Sequence, residues 1–65
     1  MRTYRAQKAA LTRAKNSGDP DKVIAEVKRF YAEYDDADMP LPDDWHRWNI
    51  ARIDAEHLKR MRREW

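Results

Sequence analysis

The feature that most limits this chain is how little punctuation it carries. Its 65 residues include one glycine, Gly18, and three prolines, Pro20, Pro40 and Pro42. They fall in two places, SGDP at 17–20 and MPLP at 39–42. An all-β chain needs a turn signal roughly every 8–12 residues. Two breaks instead leave three long segments. The expectation is an all-α protein with a three-helix arrangement: an antiparallel helical hairpin (about 2–16 and 20–35) and a longer third helix (about 42–63) laid across it. Residues 1–65 are expected to form a single small helical domain.

Each segment carries a helical stripe. In the first, Tyr4, Gln7, Leu11 and Ala14 recur at spacings of 3, 4 and 3, with Ala10 beside them. In the second, Val23, Val27, Phe30 and Tyr34 form one face, widened by Ile24 and Tyr31. At 100° per residue these six span roughly 120°, the width of a core-facing stripe. The breaks fit the same reading. Gly18 can take the left-handed conformation that ends a helix. Asp19, Pro20 and Asp21 then supply an N-cap, a first-turn proline and a charge that suits the positive helix end. A link of about four residues folds the two helices back on each other.

The third segment differs. Trp48, Ala51, Ala55, Leu58 and Trp65 lie on one seam, and Ile50, Ile53, His57 and Met61 on a second, roughly 120° away. A helix apolar on two sides has two neighbours. One seam suits the hairpin. The other suits a third element of the same bundle, or a second chain. Phe30, Tyr34 and Trp48 read as core. Trp45 lies off both seams. It either closes over the Met39–Leu41 loop, with Leu41 as a hydrophobic staple, or anchors a partner.

Charge is segregated. The chain has a net charge of +2. Residues 1–18 carry five bases and no acid, residues 19–44 a net charge of −6, and residues 45–65 a net charge of +3. That order favours attraction between adjacent helices, and also between opposite ends of two copies. With no cysteine there is no disulfide and no thiolate ligand. So short a chain buries only about 60% of its unfolded surface, which leaves helix packing, self-association or a partner to stabilise it. The lack of cysteine fits a cytoplasmic location. No apolar run is long enough for a membrane span or a signal-peptide core.

Motifs for chemistry are weak. Ala14, Gly18, Ile24 and Val27 match a helix-turn-helix spacing, but the second helix would present Asp19 and Asp21 to phosphates. A plain helical hairpin explains the match better. His46 and His57 sit eleven residues apart, about 16 Å along a helix, so they cannot share one ion. The aspartates at 35, 36, 38, 43 and 44 lack the glycine and glutamate of a calcium loop. No triad spacing or phosphate loop is present. The expectation is therefore no catalytic residue, no cofactor and no metal. The run SGDPDKVIAEVKRFYAEY has the character of a helical-repeat hairpin, yet the chain has no second copy and does not match the tetratricopeptide spacing.

The function expected from these residues is non-catalytic protein–protein interaction, with self-association through the third helix as a homo-oligomer. The interface expected is Trp45, Ile50, Ile53, His57, Met61 and Trp65. The type is that of a small phage or bacterial accessory or regulatory protein. The alternative is nucleic-acid binding through Arg5, Lys8 and Lys15 on helix 1 and Lys59, Arg60, Arg62 and Arg63 in the tail.

Overall fold

A computed structural model describes residues 1–64 and, among them, contains three helices and no strand: α1 (Tyr4–Asn16), α2 (Pro20–Asp36) and α3 (His46–Glu64). Thr3 caps α1, its Oγ1 accepting from the Ala6 N–H at 3.2 Å. At the other end Ser17 is a relay. Its hydroxyl donates to the Ala14 carbonyl (2.6 Å) and accepts from the Asp19 N–H (3.2 Å). Gly18 turns the chain at φ +73°, and a Cβ there would meet nothing within 4 Å. Its requirement is conformational rather than steric.

Asp19 caps α2 as its sequence suggests, with Oδ1 accepting from the Asp21 N–H at 3.0 Å. The end of α2 is less expected. The Met39 N–H donates to the Tyr34 carbonyl (3.0 Å) and the Asp38 N–H to the Asp35 carbonyl (3.1 Å). This is a Schellman closure, and it puts Asp38 at φ +52° where glycine is usual. Aspartate tolerates that region better than most residues, but a carboxylate there faces the negative end of the helix.

The third helix starts at His46, later than the position near 42 that Pro42-Asp43-Asp44 suggests. Residues 43–45 form a turn instead. Trp45 donates to Pro42 (3.0 Å), Arg47 to Asp44 (3.2 Å) and Trp48 to Trp45 (3.1 Å), all three-residue closures. Regular α spacing begins with Asn49 to Trp45 at 3.2 Å. Asp44 sits in this turn and ties it to α1 and to the first turn of α3. Its carboxylate accepts from the Tyr4 hydroxyl and sits 3.9 Å from Arg47.

The contacts fix the course of the chain. The start of α1 meets the end of α2 through Arg2–Glu33 and Tyr4–Phe30. The end of α2 meets the start of α3 through Tyr31–Trp45, and the start of α2 meets the end of α3 through Asp21–Lys59. The helices therefore run up, down and up, with α2 the shared middle member. The core holds Leu11, Ala14, Val23, Val27, Phe30, Tyr34, Trp48 and Ala55. Phe30 is fully buried, with the rings of Tyr34, Tyr31 and Tyr4 at 5.1, 5.7 and 6.4 Å. The shape is a rod of 40 × 18 × 17 Å.

Candidate docking face of the third helix

The two seams of α3 have opposite fates. Trp48 and Ala55 are buried on the α2 side, and Ala51 packs beside them. On the outer side Ile50 is 58% exposed, Ile53 50% and Met61 42%, and His57 is exposed between them. Among the described residues, no element of the bundle covers this stripe. Of the two neighbours open to the second seam, a third element of the same bundle is ruled out among the described residues. Leu58, assigned by spacing to the inner seam, is 42% exposed at its edge, because α2 begins opposite it and offers Pro20 and Val23 on one side only.

Polar residues stiffen the surroundings of the stripe. Arg52 donates to Asn49 (3.0 Å) and to Glu56 (2.9 Å). The Arg47 guanidinium lies over the Trp48 ring at 4.8 Å. These neighbours hold charged groups beside the apolar strip and leave Ile50, Ile53 and Met61 bare.

The other expected interface residues fall elsewhere. Trp45 is half-buried on the core rim, edge-on to Tyr31 at 6.3 Å and against the His46 ring at 3.8 Å. Its own chain gives it a structural role, and it does not join the outer stripe. Leu41 packs on the same rim. Trp65 and the side chain of Arg63 lie outside the described residues.

Among the described residues, the basic side chains do not gather into one patch. Arg5, Lys8 and Lys15 are exposed along α1, and Arg60 and Arg62 are exposed near the end of α3. Lys59 is spent on Asp21 at 2.7 Å. Acids interrupt the set: Tyr4, next to Arg5, bonds Asp44, and Lys15 borders Asp19 and Asp54. Charge is sorted along the rod instead. Acids predominate where α2 ends and α3 begins, with Asp35, Asp36, Asp38, Asp43 and Asp44 exposed beside Arg5 and Arg47, and bases predominate at the opposite end, with Arg13, Lys15, Lys22, Arg60 and Arg62 exposed beside Asp21.

One buried cluster escaped the sequence reading. Gln7 is fully buried. Its amide donates to Glu33 (2.5 Å) and its carbonyl oxygen accepts from the Tyr34 hydroxyl (2.7 Å). Arg2 donates to the second oxygen of Glu33 at 2.7 Å and lies 3.5 Å from Glu26. Arg29 adds a contact to Glu33 at 3.5 Å. Burial alone would raise the Glu33 carboxyl. The Gln7 amide, the Arg2 guanidinium and Arg29 outweigh it and hold the group below its ordinary value. The available signal was Gln7 itself, a polar residue on the buried stripe of α1.

The Tyr31 hydroxyl is buried without a hydrogen-bond partner, whereas the buried Trp48 indole N–H faces the Tyr4 hydroxyl and favours its ionised form. Tyr31 belongs to the α2–α3 interface, and its unmade bond costs about 1–3 kcal/mol. Burial pushes the Tyr31, Tyr4 and Tyr34 hydroxyls upward, and Asp44 adds to the rise at Tyr4.

No protein family, curated protein or solved structure matches this chain. The class that the fold defines is a small up-down-up three-helix bundle with an uncovered apolar face on its last helix. No helix among the described residues is long and apolar enough to cross a membrane.

Proposed function

We propose that this protein is a non-catalytic interaction module that self-associates through the outer face of α3, acting as a small cytoplasmic accessory or regulatory protein. The observation that carries this reading is the exposure of Ile50, Ile53 and Met61 in one stripe on a helix whose other side is already packed. Single exposed apolar residues are ordinary on protein surfaces, but a contiguous stripe marks a contact site. His57 in the same row adds a polar atom that tolerates both solvent and an interface. A single helix face is smaller than the roughly 800 Å² per partner of a standard interface, so micromolar association is expected rather than nanomolar.

Sedimentation velocity across a concentration series tests the reading. The wild-type protein should shift from monomer to a larger species in the micromolar range, and Ile53→Asp should remain monomeric with its helix content unchanged. A wild-type chain that stays monomeric at high micromolar concentration refutes it. A second reading, nucleic-acid binding through Arg5, Lys8, Lys15 and the tail bases Arg60 and Arg62, draws support from their exposure. It predicts binding to duplex or single-stranded nucleic acid at about 50 mM salt, where phosphate contacts are strongest.

A further inference from the structure

We infer that the second copy docks antiparallel, on a two-fold axis crossing α3 between Ile53 and His57, so that the basic end of each rod lies beside the acidic end of the other. The inference rests on the self-association reading above and names the partner's orientation and register.

The stripe is close to symmetric about its own middle. Ile50 and Met61 stand at its two ends, with Ile53 and His57 between them. An antiparallel two-fold pairing sets Ile50 against the partner's Met61, and Ile53 against the partner's His57. Every stripe residue then has a stripe residue opposite it. A two-fold contact must be self-complementary in this way.

Apolar matching alone does not choose between parallel and antiparallel pairing, but charge does. The end of the rod at the start of α3 is acidic on balance, its five exposed acids Asp35, Asp36, Asp38, Asp43 and Asp44 outnumbering Arg5 and Arg47, and the other end is basic on balance, where Arg13, Lys15, Lys22, Arg60 and Arg62 outnumber Asp21. Parallel copies would bring acid beside acid and base beside base. Antiparallel copies bring each basic end within reach of the partner's acidic turn, and they oppose the two helix dipoles. Like-charge juxtaposition selects against the parallel arrangement. Attraction between solvent-exposed charges is screened over the Debye length, about 8 Å at physiological ionic strength, so the preference weakens with added salt.

The chain has no cysteine, which makes disulfide trapping clean. Ile50→Cys and Met61→Cys both fall on exposed positions and leave the fold intact, as circular dichroism should verify. Oxidation of an equimolar mixture is expected to give mainly the mixed 50–61 disulfide, with little homodimeric product from either variant alone. Facing positions on paired helices meet the Cα separation a disulfide needs. Predominant 50–50 and 61–61 products overturn the antiparallel register. An independent arm uses the wild-type chain. Raising salt from about 50 to about 500 mM should weaken association several-fold, and unchanged or tighter association overturns the charge argument. A wild-type chain that never associates removes both the orientation and the self-association reading. A dimer with homotypic cross-links removes the orientation alone.

Discussion

The central helix α2 holds its two neighbours by different means. Against α1 it uses a polar cluster, in which Gln7, Arg2 and Arg29 converge on Glu33 and Tyr34 closes on Gln7. Alanines beside the cluster let the helices approach. Against α3 it uses aromatic and small apolar surface, with Tyr31 on Trp45 and with Trp48 and Ala55 in the core. The second interface leaves the Tyr31 hydroxyl unmatched, and the first makes bonds at both ends of its buried amide side chain. The lesson is that one helix can be held by buried polar bonds on one side and by largely apolar surface, with a single exposed ion pair, on the other. Hydrogen-bond geometry fixes the register of α1, whereas shape and area position α3.

The largest expected effect breaks the apolar interface. Trp48→Ala should cost about 3–5 kcal/mol. A chain of this size is worth on the order of 3–10 kcal/mol in total, so calorimetry should show a collapsed or absent transition. If Trp48→Ala melts like wild type, α3 is not held as described.

Next in size is the polar interface. Gln7→Ala strips a buried partner from both Glu33 and Tyr34 and should cost about 1–3 kcal/mol by urea denaturation. A volume-matched Gln7→Leu should cost a similar amount, because the partners stay unsatisfied. Full rescue by leucine would show that packing, and not hydrogen bonding, holds α1.

Acid separates the two interfaces. The Glu33 carboxyl is held below its ordinary value of 4.5 in the folded chain. Its contribution is therefore present above that value and lost as pH falls through the lower, folded value. The melting temperature should drop as pH falls below 4.5, and Glu33→Gln should flatten that dependence. An unchanged profile in the variant would assign the acid sensitivity to other carboxylates.

A smaller effect of opposite sign belongs to the joint between the interfaces. Asp38→Gly relieves a left-handed aspartate and removes an acid from a helix C-terminus, and should stabilise by about 0.5–1 kcal/mol. Smallest of all is Lys59→Ala. Its ion pair with Asp21 is largely exposed, so the loss should stay within about 0.5 kcal/mol.

Much of the fold was legible in the sequence because helix signals are local. Gly18 ended α1, Asp19 and Pro20 began α2, and the 3–4 spacing of Val23, Val27, Phe30 and Tyr34 named the buried face. The start of α3 was less legible. Pro42-Asp43-Asp44 resembles a helix start, but Asp44 is engaged by Tyr4 from forty residues away. The Gln7–Glu33–Tyr34 cluster joins positions 26 and 27 residues apart, which no local pattern encodes.

By itself the sequence determined that there are three helices, where the first two break, and that α3 is apolar on two sides. Those properties follow from backbone propensity and periodicity within a few turns of chain. Only the tertiary structure decided which side of α3 is covered, that Trp45 belongs to the core rim, and that acids predominate at one end of the rod and bases at the other. Each of these depends on which segments are neighbours in space. Burial is a property of the assembled surface, and the same isoleucine is core or contact face according to what packs against it.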